Sequence, residues 1–255
     1  MIGLIIIIAV ILYGIKLYID KQKRIRNFQL PASTQEILLA NVVFYRHLSD
    51  DNKIAFEERI KDFLQHITIT GVGTKVEDID RILIASGAII PIFAFPHWRY
   101  NNINEVLLYK DAFNAEYDTS GNDRNILGMV GEGALQRQMI LSQASVRSSF
   151  QNAADGHNTV IHEFVHLIDK ADGSTDGIPE YLLSRPYMLP WINKMHETIR
   201  AMKENEANDI NFYGATNTAE FFAVVSEYFF ERPHELKIHH PELYEMLERM
   251  FAPKS

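Results

Sequence analysis

The chain contains no cysteine. This absence excludes disulfide scaffolds, thiolate metal sites and cysteine nucleophiles. A transition metal could therefore be held only by histidine, aspartate or glutamate side chains. Glycine is sparse as well, and the pair Gly71 and Gly73 is too isolated to form a phosphate-binding loop.

Positively charged residues are also fewer than negatively charged ones, and the formal net charge is -8. The lysines and arginines do not form a long basic stripe with interleaved aromatic residues, so we expect no direct contact with nucleic acid. Hydrophobic residues make up 47% of the 255 positions, which is enough for a full core. We therefore expect one globular domain.

The amino terminus carries the one long hydrophobic run. It spans roughly 18 residues if Lys16 extends toward the interface, which is just enough to cross a bilayer. No lysine or arginine precedes the run and no small-residue cleavage site follows it, which disfavours a signal peptide. The sequence predicts a transmembrane anchor at residues 1–19, a basic flank and linker at 20–32, and the globular domain at 33–255.

Basic residues on one side of this run predict its orientation. Lys16, Lys21, Lys23, Arg24 and Arg26 all follow the apolar core. Because positive flanks stay on the cytoplasmic side, we expect a single-pass protein of the cytoplasmic membrane whose domain faces the cytoplasm.

Hydrophobic periodicity predicts helices and strands along the domain. We expect one helix that begins after a cap at Ser33 or Thr34, a second at 54–64 and a buried third at 82–93. Most of the chain beyond Asn158 is also expected to be helical. Strands are expected at 67–70, 105–109 and 138–141.

The segment His162-Glu163-Phe164-Val165-His166 has the spacing of a metal site. Residues four apart lie on one face of a helix, so both imidazoles can bind one zinc ion. Glu163 follows the first histidine and could take a proton from a zinc-activated water. The alternative is an ordinary core helix with two hydrogen-bonded histidines. A turn and helix-start signal at 155–158 favours the metal site.

A catalytic zinc needs a third protein ligand, for which there are three candidates. Asp172 lies six residues after His166, but Asp169 occupies the position where a tight turn would need glycine. Glu220 and Glu227 lie in a strongly apolar stretch, where a carboxylate is costly unless it is paired or bound to metal. The two glutamates are seven residues apart and share a helix face, so one could bind zinc while the other supports it.

At these residues the chain resembles the zinc-dependent peptidases related to the glucose-system regulator MtfA. The matching segments are 154–158, 160–166, 172–173 and 219–230. The resemblance implies one zinc ion with His162, His166 and Glu220 as ligands and Glu163 as general base. It further implies that Tyr213 faces the oxyanion.

We accordingly expect an α+β fold: a mostly helical, zincin-like metallopeptidase domain with a small sheet beside the active-site helix. The expected reaction is hydrolysis of a peptide or protein substrate. The alternative is a regulatory module that keeps the zinc scaffold and sequesters a protein partner such as a transcriptional repressor.

Several polar residues remain outside this assignment. Asp169 is a candidate to support the metal ligands, with a solvated acid at the helix end as the alternative. His157 is expected to be structural, and His239 and His240 are expected to form a solvated helix start. The polar stretch at 115–125 departs from the family pattern.

Overall fold

The computed structural model describes residues 2–114, 126–131, 136–151, 156–204 and 209–251. This part of the chain is mostly helical and contains one four-stranded sheet, in agreement with the predicted α+β class. The helices are α1 (Ile2–Asn27), α2 (Thr34–Asn41), α3 (Val43–Arg46), α4 (Asp50–His66), α5 (Asp78–Ile89), α6 (Gln143–Gln151), α7 (Thr159–Asp169), α8 (Arg185–Lys203), α9 (Thr218–Glu231), α10 (Pro233–His239) and α11 (Pro241–Phe251). The strands are β1 (Thr68–Val72), β2 (Glu105–Tyr109), β3 (Gly128–Val130) and β4 (Gln138–Ser142).

Local signals explain where the early helices begin. The Ser49 hydroxyl accepts a hydrogen bond from the Asn52 backbone N–H and caps α4. At the start of α5, the Asp80 carboxylate accepts from the backbone N–H of Glu77 at 2.9 Å. The α2 helix forms as predicted, although Ser33 makes no side-chain cap.

The sheet has the strand order β1-β2-β4-β3. β1, β2 and β4 are parallel, and β3 pairs antiparallel with β4. The three parallel strands confirm the predicted ones, while the three-residue β3 was not predicted. Among the described residues β3 forms one edge of the sheet, and this edge lies beside α7.

The helix α7 is enclosed by close packing. Gly87 of α5 lies so near to it that an added Cβ would be 2.4 Å from Cγ1 of Val160. Phe164 packs against the rings of Phe63 and Tyr100, with centroid distances of 5.6 and 5.1 Å. The buried run at 82–89 therefore supports α7, as expected of a core helix.

The predicted transmembrane anchor at 1–19 is not supported. Residues Ile2–Asn27 do form a helix, but within the described residues no helix is both long and apolar enough to cross a bilayer. The cytoplasmic orientation depended on this anchor and stays a prediction.

Two other features of the sequence lie outside the described residues. The polar stretch at 115–125 is one of them, and the first part of the helix-start signal, up to Asp155, is the other. Gly156 is described and has a positive φ of 76°, which suits a turn directly before α7.

Replacing Gly87 with alanine should destabilise the domain, because the new methyl group would collide with Val160 on α7. Overpacking of a core costs about 1–3 kcal/mol, which exceeds the gain in helix propensity of about 1 kcal/mol. We expect a lower midpoint of urea unfolding followed by circular dichroism. Gly14→Ala is the matched control, since nothing lies within 4 Å of its added Cβ. Equal midpoints for the two variants would contradict this packing argument.

Candidate metal centre

An asparagine cap sets the start of α7. The Asn158 side-chain oxygen accepts the backbone N–H of Ile161 at 3.0 Å. From this start, one face of the helix presents His162, Glu163 and His166 toward an open cleft. The apolar residues between them are buried in the core.

The two histidines of this helix converge on one point. Their ring centroids are 4.7 Å apart, and Nε2 of His162 lies 3.1 Å from Nε2 of His166. Two ring nitrogens at this distance need a proton or a cation between them, because facing lone pairs repel.

Glu220 reaches the same point from α9. It occupies the third position of that helix, where Asn217 caps its backbone N–H at 2.9 Å. Its Oε2 atom lies 2.9 Å from Nε2 of His162 and 3.4 Å from Nε2 of His166. One ligand atom from each of the three residues lies within 4.8 Å of the others. This is the one such His/Cys/Asp/Glu cluster found among the described residues.

Glu227 contacts the opposite side of the first histidine. Its Oε1 atom is 2.6 Å from Nδ1 of His162, and its Oε2 atom accepts the backbone N–H of Asn158 at 2.6 Å. The structure therefore brings Glu220 into the cluster and places Glu227 behind it. Asp172 is elsewhere, with its carboxylate accepting the backbone N–H groups of Ser174 and Glu180.

The charges in the cluster stabilise each other. Burial alone would lower the pKa of His162, but the carboxylates of Glu220 and Glu227 outweigh it and raise that pKa to about 10. Burial likewise opposes ionisation of Glu220, yet hydrogen bonds from the two histidines lower its pKa to about 2.

Glu163 lies in the same cleft with a different environment. Burial raises the pKa of its carboxyl group above the usual range, and the histidines only partly offset this effect. The side chain packs against β3: a Cβ at Gly128 would lie 2.8 Å from both Cγ and Oε1 of Glu163. Glycine at position 128 therefore makes room for the carboxylate.

Tyr213 stands at the rim of the cleft. It belongs to a short 3-10 turn (Phe212–Ala215), and the Asn211 side chain accepts its backbone N–H. Its ring centroid lies 6.0 Å from that of His162, and its side chain is half exposed. Burial, followed by the charges of Glu220 and Glu163, raises the pKa of the phenol, so it stays protonated.

Asp169 is buried and not solvated, which contradicts the solvated alternative for this residue. Its Oδ2 atom accepts the backbone N–H of Gly177 at 2.8 Å, and burial raises its pKa to about 6. Its Oδ1 atom and Nδ1 of His166 are both buried without a hydrogen-bond partner among the described residues. The structure thus shows a bond from Asp169 to the turn after α7 and none to His166.

The outer histidines have structural contacts. Nδ1 of His157 lies 3.0 Å from Nδ2 of Asn211, which fits the structural role expected for it. His239 and His240 directly precede α11, and His239 is exposed, as expected of a solvated helix start. Each also lies 2.6 Å from the Asp209 carboxylate, a contact that was not predicted because His239 is 30 residues away from Asp209 in sequence.

The cleft around the cluster has a volume of about 600 Å³. It lies between α7, the start of α9 and β3. Its lining includes backbone of β3 and the polar residues Lys170, Thr175 and Asp176. The space is large enough to admit part of a polypeptide.

Two residues of the site were missed from sequence. The helix-start signal indicated Asn158 as a cap but not its bond to Glu227, 69 residues later. No role was predicted for Gly128. Neither contact can be predicted from the sequence, because each joins residues that are brought together only by the tertiary packing.

Comparison with known proteins identifies relatives of this chain. The chain is 30% identical over 264 residues to an uncharacterized protein, slr2042, from Synechocystis, with 96% of each chain covered. It is 31% identical over 166 residues to the Mlc titration factor A of Serratia proteamaculans, covering 59% of this chain and 60% of that protein. Identity to the Mlc titration factor A of Escherichia fergusonii is 28% over 208 residues, with 75% and 74% covered.

A family model also matches nearly the whole chain. The model of the glucose-regulated metallo-peptidase M90 matches residues 18–252. This range contains the complete His162, His166 and Glu220 cluster and both helices that build it. The chain therefore belongs to the glucose-regulated metallo-peptidase M90 family.

Proposed function

We propose that this protein is a zinc-dependent peptidase that hydrolyses peptide bonds, with Glu163 as its general base. One observation carries the proposal: two imidazole nitrogens and one carboxylate oxygen converge in an open cleft, beside a buried carboxylate that takes no part in the cluster. A site with a purely structural metal would not need that second carboxylate.

The donor set fits zinc. Zinc binds nitrogen and oxygen ligands at about 2.0–2.2 Å in a tetrahedral arrangement, which puts neighbouring ligand atoms roughly 3.3 Å apart. The corresponding distances are 2.9, 3.1 and 3.4 Å. His162, His166 and Glu220 all line the cleft and would hold the ion there, which matches the three protein ligands of a catalytic zinc site.

Glu227 would orient the first ligand. A carboxylate on Nδ1 of His162 fixes the ring and leaves Nε2 free to bind the metal. Glu227 is in turn held by the backbone of Asn158 at the start of α7. The two helices therefore position the imidazole together.

When bound by these side chains, zinc would polarise a carbonyl oxygen and lower the pKa of a water molecule toward about 7. The raised pKa of Glu163 suits the accompanying proton transfers. Its carboxylate would take a proton from the attacking water and later donate it to the leaving amine. The protonated phenol of Tyr213 would donate a hydrogen bond to the negative charge that develops on the substrate oxygen.

The edge strand β3 would hold the substrate. Gly128, Met129 and Val130 line the cleft, and among the described residues no strand pairs with the outer edge of β3. An extended peptide could add to this edge by backbone hydrogen bonds, which recognise any sequence. This arrangement favours a polypeptide substrate.

A second candidate function comes from the names of the relatives. Several of them are called Mlc titration factor A, a name that describes action on a protein partner. By this alternative the chain would sequester a regulatory protein without cleaving it. The base Glu163 distinguishes the two functions, because sequestration has no use for it.

Replacing Glu163 with glutamine should abolish peptidase activity and leave the metal bound. The substitution removes the proton acceptor, and general base catalysis contributes about 10²–10⁴-fold. Activity is measured on fluorogenic peptides and zinc content by atomic emission. Glu58→Gln, an exposed change on α4, is the control. If a zinc-loaded Glu163→Gln protein cleaved peptides at the normal rate, Glu163 would not be the base.

Glu220 and Glu227 should differ in their effect on metal binding. Glu220→Ala removes a ligand, so zinc should be lost on dialysis. Glu227→Gln should only weaken zinc affinity, by about 10–100-fold, because it perturbs the support of His162. Competition with a zinc-sensitive dye gives both affinities. The reverse order of effects would exchange the roles of the two residues.

Gly128→Ala should lower activity without removing zinc. The added methyl group would lie 2.8 Å from the Glu163 side chain and displace the base, while the three ligands stay in place. A misplaced catalytic group can cost about 10²-fold in rate. Comparison of kcat and zinc content with the wild type checks this outcome. Leu127→Ala, an exposed change beside β3, serves as control. Full activity of Gly128→Ala would refute the contact.

A further inference from the structure

A second cavity, of about 170 Å³, lies apart from the metal cleft and shares no lining residue with it. It is formed by α4, the 3-10 turn after α5 (Ile90–Ile92) and the loop that precedes β2. Part of its wall is apolar, and the rest carries polar and charged side chains, including two arginines. The apolar residues are Phe63, Ile67, Ile89 and Ile92.

Arg59 places a guanidinium group in this wall. It donates hydrogen bonds to the backbone carbonyls of Ile92, Phe95 and Trp98, at 3.3, 3.0 and 3.2 Å. All three acceptors are neutral, and within the described residues Arg59 forms no ion pair. Burial lowers the pKa of Arg59, which shows that its charge is poorly solvated.

The other charged groups of the cavity do not neutralise Arg59. Both oxygens of Asp62 are occupied by Arg99, at 2.9 and 2.6 Å, although Asp62 still acts on Arg59 through space. Nδ1 of His66 lies 2.7 Å from the backbone carbonyl of Asp62, to which it can donate. The cavity therefore has two guanidinium groups and one carboxylate.

Trp98 contributes an unused donor. Its indole Nε1 atom is buried and has no hydrogen-bond partner among the described residues. A buried N–H group without an acceptor costs about 1–3 kcal/mol, so such groups are rare in native proteins. A ligand in the cavity would lie against the Trp98 side chain and change the environment of this N–H group.

We propose that this cavity binds a small organic anion, in which a carboxylate is carried on an apolar body about the size of a benzene ring. The carboxylate would balance the charge of Arg59, and the ligand would contact the indole of Trp98. The apolar body would lie against Phe63 and Ile89. The volume agrees with this size, since a cavity of about 150 Å³ holds one benzene molecule.

Nuclear magnetic resonance of the indole N–H groups tests the proposal directly. The chain has two tryptophans. The second, Trp191, is fully buried and donates to the backbone carbonyl of Gly177 at 2.7 Å, so it serves as an internal reference. The full-length, ¹⁵N-labelled protein is titrated with phenylacetate, and Trp98→Phe assigns the two signals.

The Trp98 signal should shift with saturation while the Trp191 signal stays in place. Phenylacetamide has nearly the same shape but no charge, and it should bind about 10- to 100-fold more weakly because it loses the charge-assisted bonds. An unmoved Trp98 signal at millimolar phenylacetate would overturn the proposal. Equal affinity for the amide would overturn the assignment of an anion.

Two variants test separately the charge of Arg59 and the free volume of the cavity. Arg59→Gln should weaken phenylacetate binding about 10- to 100-fold. Ile89→Phe keeps the charge but fills the cavity, and it should abolish binding. An unchanged Trp191 signal and an unchanged circular dichroism spectrum of the free variants show that the fold is intact, and Arg200→Gln, exposed on α8, is the control. Wild-type affinity in both Arg59→Gln and Ile89→Phe would exclude this cavity as the site.

Discussion

The contact between α7 and α9 through His162 is the interaction on which the site depends. One imidazole is held between two carboxylates, with Glu220 at Nε2 and Glu227 at Nδ1. Because the two glutamates lie seven residues apart, α9 presents both on one face. A buried carboxylate without a partner would be costly, so the two helices are stable only in this register.

Each helix start also has its own local support. Asn158 caps α7 and Asn217 caps α9, so one asparagine precedes each half of the cluster. Asn158 further donates its backbone N–H to Glu227. The position of the first histidine and the position of the carboxylate behind it are therefore coupled through a single residue.

Close approach of backbone and side chains completes the site. Gly87 lets α5 approach α7 from one side, and Gly128 lets β3 approach Glu163 from another. Between the metal cleft and the second cavity stands Phe164, which follows Glu163 in the chain and packs against Phe63 and Tyr100. Phe63 and Tyr100 are also walls of the second cavity. One aromatic layer thus separates the two spaces.

The sequence by itself determined the elements and the chemistry of the candidate site. Periodicity predicted α4, α5 and the three parallel strands, because those patterns reflect which face of each element is buried. The spacing of His162 and His166 within one helix predicted that their rings converge, since this depends only on helical geometry. The missing cysteines limited any metal to nitrogen and oxygen ligands.

Only the tertiary structure shows that Glu220, and not Glu227, lies beside both histidines, because the two glutamates have similar apolar surroundings in the sequence and lie on the same helix face. The choice depends on where α9 begins relative to α7, across 58 residues of chain. The burial of Asp169, the ion pairs of Asp209 and the room at Gly128 are likewise set by distant packing. Such contacts produce no periodic pattern in the sequence, because each one joins residues of different helices, strands or loops.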